Sequence, residues 1–460
     1  MAAELSIHLK LILSTGVLKL QSSASTVHGI PTRRRIRVVI AISFAFFVAY
    51  FDRTNVAVLI ANHNFDQTFG IAGNKAAQGV LITAFLLPYG LVNIITGPIS
   101  DKLGGRRGIA LAIIGWTICM VLSGVITNYS VLLILRVLLG IGESIMGPSV
   151  NMVTAQWFPD KERARANSIW LSGLFIAPAF SYPLLAWIVG SFGWRQSFFV
   201  LAAIGLFVAL PLIWFWTKNT PEDDKKISPE EIQYIRAGQS APQKLAQSQF
   251  WGEAKKVFGY HKYWFALFAY CGYQVGFWGI GTFLPSYLEQ QRHQTFGSAS
   301  IFAILPWIAA TIFTLAGGYI GDRKQRVRSR LWSFGYVVAA IFSYIGTVTH
   351  SLGVSITFIS LGVGMLASTL GPMWAIVQEM SPQGVSGFAS GVFNGVSYVA
   401  AAFGPTVVGN IADASNSFNV GFYVLAGWMV VTAIAVIPLW RGYRKGKQLK
   451  SFSLDNGLHD

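Results

Sequence analysis

The sequence predicts an all-α, polytopic membrane protein of twelve spanning helices in two six-helix halves. Three observations predict it. Apolar residues fill 53% of 460 positions and charged ones only 12%, and the mean hydropathy of +0.51 lies far from a soluble globular average. Twelve apolar stretches reach the roughly 20 residues of helix that a hydrocarbon core about 30 Å thick demands. The Lys and Arg residues behind the net charge of +16 gather in short segments between those stretches, which marks topology rather than a nucleic-acid face.

Taken in order, residues 1–36 read as a cytoplasmic tail. Lys10 and Lys19 interrupt its apolar residues, so a signal peptide is not expected. An N-terminal bundle over 37–216 holds spans near 38–60, 78–98, 108–127, 130–153, 166–190 and 196–216. Residues 217–262, rich in Glu, Asp, Lys, Gln and Pro, cannot bury a core and read as a cytoplasmic linker. A C-terminal bundle over 263–441 holds spans near 263–287, 299–320, 331–350, 354–379, 384–411 and 418–440, and 442–460 form a second tail. Arg33 to Arg37, Lys102 to Arg107, Lys161 to Arg165, Arg323 to Arg330 and the C-terminal tail carry the positive charge of one side, against Lys75, Arg195 and Arg292 on the other. Both termini and the linker are therefore expected in the cytoplasm.

Four ionisable residues fall inside spans, Asp52, Arg53, Arg136 and Glu143, all in the first half. A charge at mid-bilayer costs roughly 3 kcal/mol or more unless paired or hydrated, so such residues line a bundle interior or a substrate path. Arg136 and Glu143 lie about 10.5 Å apart, two turns along one face of the fourth helix, and that face is expected to look into the bundle. Gly140 and Gly147 follow nearly the same stripe, leaving room for a substrate or a neighbouring helix. Asp52 and Arg53 point about 100° apart, so each needs a partner on another helix. The expected arrangement pairs Asp52 with Arg136 and projects Arg53 into a cavity as anchor for a substrate carboxylate, because a guanidinium offers two parallel donors and stays charged when desolvated. A carboxyl keeps its proton in apolar surroundings and gives it up beside an arginine, which makes Asp52 and Glu143 the expected proton-coupling pair.

The second half has no mid-helix charge. Its neutral candidates are Tyr273, Gln274, Trp278 and Thr282 in the seventh span, Ser368, Thr369, Trp374 and Gln378 in the tenth, and Asn394 and Ser397 in the eleventh. Such groups hydrogen-bond the hydroxyls of a polar anion, and the aromatics stack on a sugar face or an aromatic ring. Glu289, Glu379 and Asp413 stand at span ends, where they are expected to meet water. Cys119 and Cys271 lie within apolar segments and read as packing residues.

An internal repeat supports the division: Gly97-Pro98-Ile99-Ser100-Asp101 after the second span matches Gly318-Tyr319-Ile320-Gly321-Asp322 after the eighth. The first copy, GPISDKLGGRR from Gly97 to Arg107, resembles the loop signature of the major facilitator superfamily, whose parallel repeats enclose a mid-membrane site. The resemblance implies that fold and a conformational latch at Gly97, Asp101, Arg106 and Arg107. AYFDRTNVAVLIA (Ala49 to Ala61), LRVLLGIGESIMGPS (Leu135 to Ser149), QWFPDKERARA (Gln156 to Ala166) and FASGVFNGVSYVAAAFGP (Phe388 to Pro405) are similar to the anion:cation symporter family within it. That branch holds galactonate, glucarate and hexuronate permeases. The likeness implies protonation at Asp52 and Glu143 and substrate contacts from Arg53 and a second-helix tyrosine, here Tyr89; Arg136, beside them, is counted among the expected substrate-binding residues. It also ranks Ser368, Thr369, Gln378 and Asn394 highest in the second half, with Trp374 as an aromatic contact.

Seven histidines show no metal spacing, and neither a Walker sequence nor a nucleophile with its base occurs. No cofactor and no enzymatic activity are expected. The reading is a monomeric symporter of protons and a small organic anion, a sugar acid first, by alternating access in a bacterial inner membrane. Aromatic or short-chain carboxylates, or an anion-sensing transceptor, are the alternatives.

Overall fold

In hydrocarbon every backbone N–H and C=O must be satisfied within its own segment, and every regular element among the described residues is helical. The computed structural model describes residues 32–237, 247–323, 327–381 and 385–442. Most of both expected tails therefore lies outside the described residues.

The first group comprises α1 (Arg34–Leu59), the short α2 (His63–Phe69), α3 (Lys75–Leu103), α4 (Gly105–Val125), α5 (Tyr129–Glu143), α6 (Met146–Trp157), α7 (Asp160–Phe192), α8 (Trp194–Ile204) and, after a π-helical turn, α9 (Leu210–Trp216). Two linker helices follow, α10 (Pro229–Ala237) and α11 (Gln247–Phe258). The second group comprises α12 (His261–Gln290), α13 (Phe296–Phe302), α14 (Leu305–Arg323), α15 (Arg328–Val348), α16 (Leu352–Ala367), α17 (Leu370–Met380), α18 (Ser386–Ser415), α19 (Phe418–Ala435) and α20 (Ile437–Trp440). Among the described residues, ten stretches are long and apolar enough to cross a membrane. Helices α1 and α12 have the length, at 26 and 30 residues, but carry polar side chains in their middles.

Helix α1 is enclosed by protein, every residue from Val48 to Leu59 being buried. It packs on α7 within its own group and on α12 across the molecule. The fourth span of each group is broken. Helix α5 stops at Glu143 and α6 restarts at Met146, while α16 stops at Ala367 and α17 restarts at Leu370. A break frees carbonyls that lipid cannot satisfy, and neighbouring side chains supply the donors. Asn93 Nδ2 (3.0 Å) and Thr96 Oγ1 (3.2 Å) of α3 donate to Ser144 O, and Thr314 Oγ1 of α14 donates to Ala367 O at 3.1 Å. Asn93 and Thr314 each stand four residues before the repeated loop glycines Gly97 and Gly318, so the repeat extends to the devices that hold the breaks.

The groups meet chiefly through α3 against α18, with α1 on α12 and α7 on α13 and α14. Glycine makes the α3–α18 approach possible. A Cβ on Gly79 would lie 2.6 Å from Pro405 O, and one on Gly409 would strike Lys75 O. Thr83 Oγ1 and Thr406 Oγ1 are 2.7 Å apart on the same seam. These contacts close the end of the molecule opposite the linker.

The linker is more ordered than its polar composition suggests. Glu231 of α10, wholly buried, accepts from Thr32 Oγ1 (2.7 Å) and from the backbone N–H groups of Arg34 (2.9 Å) and Arg35 (3.2 Å). It thereby caps α1, whose own N-cap residue, Arg33, offers no side-chain cap. Arg34 pairs with Asp224 (2.7 Å) and Arg35 with Glu162 (3.0 Å). Helix α11 sits on the other group, with Phe250 and Trp251 against Phe388. The segment 217–262, expected to bury no core of its own, still buries Ile235, Ala254 and Val257 where its helices dock on the bundles.

The three span-end acids keep partial exposure, and two also have protein partners. Glu379 pairs with Arg328, and Asp413 accepts from the first two N–H groups of α3, Lys75 (2.9 Å) and Ala76 (2.7 Å). Glu289 keeps a buried carboxyl oxygen without a partner.

Candidate functional site

The four intramembrane charges form one buried cluster between α1 and α5. The Val48–Leu59 part of α1 is buried throughout, so its polar residues face protein, and the two-turn spacing of Arg136 and Glu143 turns both inward. All four are at most 3% exposed. Arg136 Nη1 stands 4.0 Å from Asp52 Oδ1, an ion contact longer than a hydrogen bond that a bridging water or a small shift would close. Arg53 Nε donates to Glu143 Oε2 at 2.9 Å. Asp52 and Glu143 are near enough to feel each other as like charges, so the quartet is one electrostatic unit rather than two independent pairs.

The structure thus adds a partner that spacing could not supply. Arg53 lines the cavity between the groups and is also held by Glu143. Its guanidinium lies over Tyr89 (4.5 Å to the ring centre), Tyr50 (4.7 Å) and Phe85 (5.3 Å), and Nη1 donates to Tyr50 Oη at 3.3 Å. Aromatic faces stabilise a desolvated guanidinium without consuming all its donors. Arg136 lies over the other side of Phe85 at 5.2 Å. Gly140 serves the packing half of its expectation: a Cβ there would strike Phe85 O of α3, whereas Gly147 faces open space.

The cavity beside Arg53 is walled by Tyr50 and Thr54 of α1, Pro178 and Tyr182 of α7, Phe277, Trp278 and Thr282 of α12, and Trp307 of α14. It bridges the two groups. Tyr182 Oη donates across them to Gly281 O at 3.1 Å, and Tyr50 Oη and Tyr398 Oη are 3.3 Å apart. Tyr50, Tyr182 and Trp307 escape the sequence reading. Only Tyr50 has a sequence signal, three residues before Arg53 and hence on its face.

The second-half ranking reverses in geometry. Ser368 Oγ donates to Met365 O (2.6 Å) and Thr369 Oγ1 to Leu366 O (2.7 Å), so both hydroxyls hold the broken turn between α16 and α17. Asn394 Nδ2 faces Asn93 Oδ1 at 3.4 Å on the α3–α18 seam. Trp374 packs between Tyr270 and Phe393. The Gln378 side chain lies outside the described residues. Trp278 and Thr282, named less prominently, are the ones that wall the cavity with Arg53.

Of the expected latch, the surroundings of Gly97 and Asp101 lie outside the described residues. Arg107 is exposed, and Arg106 stacks on Trp214 at 4.0 Å while its backbone N–H donates to Asn219 Oδ1 at 3.1 Å. Cys119 and Cys271 are free thiols. Among the described residues no group of His, Cys, Asp and Glu could hold a metal ion.

Comparison with known proteins follows the same lines. A family model described as Major Facilitator Superfamily matches residues 42–405. A hexuronate transporter of Bacillus subtilis is 26% identical over 421 residues, covering 89% of this chain and 96% of its own. A D-galactonate transporter of Escherichia coli is 29% identical over 425 residues, covering 88% and 94%. Among solved structures, a bacterial homologue of the human lysosomal transporter Spinster, inward-facing and unoccupied, superposes with a TM-score of 0.70 at 19% identity, covering 93% of this chain and 99% of that one.

Proposed function

From the premise that the chain belongs to the Major Facilitator Superfamily and is a multi-pass membrane transporter, we propose that it carries a small organic anion, a sugar acid, together with protons by alternating access. The observation that carries this reading is the 2.9 Å pair between Arg53 and Glu143 at the cavity wall. One guanidinium faces two claimants. While Glu143 is ionised it occupies Arg53; once protonated it loses most of its attraction, and a substrate carboxylate takes its place through the same donors. Proton and anion then enter as a neutral sum, which suits a site where uncompensated charge is expensive.

Asp52 and Arg136 act behind this pair. A proton taken by Asp52 loosens the 4.0 Å contact and changes the field at Glu143. The hexuronate and D-galactonate transporters among the relatives support the sugar-acid class. In this reading, the end bearing the linker faces the cytoplasm of a bacterial inner membrane, both termini lie there, and one chain is a complete unit divided at 217–262. Gly97, Asp101, Arg106 and Arg107 are proposed as the latch. Phe277, Trp278 and Trp307 in the cavity wall favour an aromatic carboxylate as second reading.

The test is uptake into proteoliposomes loaded for either counterflow or a pH gradient. Glu143→Gln is expected to keep counterflow and lose gradient-driven accumulation, while Arg53→Ala loses both. Undiminished accumulation by Glu143→Gln would sink the coupling scheme.

A further inference from the structure

Four polar side chains stand one turn apart along α12: Gln274, Trp278, Thr282 and Ser286. They are 3%, 8%, 2% and 0% exposed, and Gln274 Nε2, Trp278 Nε1, Thr282 Oγ1 and Ser286 Oγ each lack a hydrogen-bond partner. Residues at this spacing share a helix face. Buried donors without acceptors are costly, and a membrane interior offers them no alternative. Packing needs only the apolar parts of these residues. The row therefore has donors to offer a ligand, and its middle pair, Trp278 and Thr282, walls the cavity that Arg53 enters from the opposite group.

The donor types narrow the ligand. An indole N–H donates only, an amide nitrogen donates only, and a serine or threonine hydroxyl supplies a proton of its own. Of the other hydroxyls of the wall, Tyr182 donates to Gly281 O, Thr54 bonds the α1 backbone and Ser181, and Tyr50 accepts from Arg53 and lies 3.3 Å from Tyr398 Oη. No carboxylate lines the cavity. A substrate whose second end is a hydroxyl brings another proton into a wall already rich in them. A second carboxylate brings acceptors alone.

Resting on the reading of the chain as an organic-anion transporter, we propose that Trp278 and Thr282, with Gln274 beside them, are specificity-determining residues for the end of the substrate opposite its Arg53-bound carboxylate, and that this end is a second carboxylate, as in an aldarate. Charge balance agrees. With Asp52 and Glu143 both protonated, Arg53 and Arg136 retain two positive charges, which a dianion neutralises and a monoanion does not.

Glucarate and gluconate share one carbon skeleton and differ in a terminal carboxylate against a terminal hydroxymethyl, so they isolate the feature. Wild-type protein in proteoliposomes is expected to take up glucarate with the lower KM. Trp278→Phe keeps a ring and removes the N–H; it is expected to raise the ratio of the glucarate to the gluconate KM about tenfold, the size of one lost hydrogen bond to a charged group, with kcat changed less than KM. Thr282→Val supplies a second, smaller perturbation of the same ratio if the first variant folds poorly. A wild-type preference for gluconate, or equal KM changes for both acids in both variants, overturns the proposal. If neither acid is transported, the transport reading fails separately, and the subsite is read from melting temperatures of the detergent-solubilised chain. A larger upward shift with glucarate than with gluconate upholds it, and equal or absent shifts overturn it.

Discussion

Arg53 and Asp52 are neighbours in sequence whose fates diverge because a helix turns about 100° per residue: one meets Glu143 and a ring of aromatics, the other faces Arg136. The inward face of Arg136 and Glu143 is legible from spacing alone, and so is the need for cross-helix partners. Which acid serves which arginine is not, because register between helices is set by side-chain packing that no single-helix period encodes. A second residue-scale consequence lies outside the membrane. Asp66 on α2 is buried, and that burial, opposed by a hydrogen bond from Gln78 and reinforced by the Glu289 carboxylate, raises its pKa from 3.8 to about 7. A group whose folded value is raised binds more protons folded than unfolded between those values, so its contribution to stability is complete below pH 3.8 and falls as pH rises to about 7. Asp66→Asn removes that slope. Thermal melts of wild type and variant from pH 4 to pH 8 are expected to diverge with rising pH, the variant melting higher above pH 7; parallel curves would show that Asp66 is not the titrating group.

At the scale of elements, the spans are legible because hydrocarbon imposes a length and forbids an unsatisfied backbone, and the observed helices match the expected ones to within a few residues at most ends. The two breaks are not legible. Ser144 and Ser368 look like ordinary small residues of an apolar run, and each break depends on donors from another helix. Nor is the docking of α10 visible in a segment so polar, because its stability comes from ion pairs and one buried cap rather than from an apolar face. The breaks yield a prediction. Asn93→Ala with Thr96→Val leaves Ser144 O without either of its donors, at a cost of about 1–2 kcal/mol for a buried acceptor left unpaired. Unfolding in detergent is expected to show that loss, whereas either single variant, which retains one donor, loses less than half of it. A double variant as stable as the wild type would mean that the break finds another donor.

For the whole molecule, the two groups touch along a seam that glycines and threonines hold shut at the end away from the linker, and the charge cluster lies behind that seam. Alternating access between the two groups requires α3 and α18 to part along this seam, which is the principal contact between them. Thr83 and Thr406, with hydroxyls 2.7 Å apart across the seam, are the positions at which a pair of cysteines tests it by cross-linking. In a chain with Cys119 and Cys271 replaced by alanine, Thr83→Cys with Thr406→Cys is expected to oxidise readily, to halt uptake and counterflow together, and to regain both on reduction. Binding, read as a substrate-induced rise in melting temperature, should survive the cross-link, because Arg53 and the cavity stay as they are in the closed-end form. Transport that continued through the oxidised protein would show that substrate crosses without opening the α3–α18 seam, and alternating access about this seam would then be wrong.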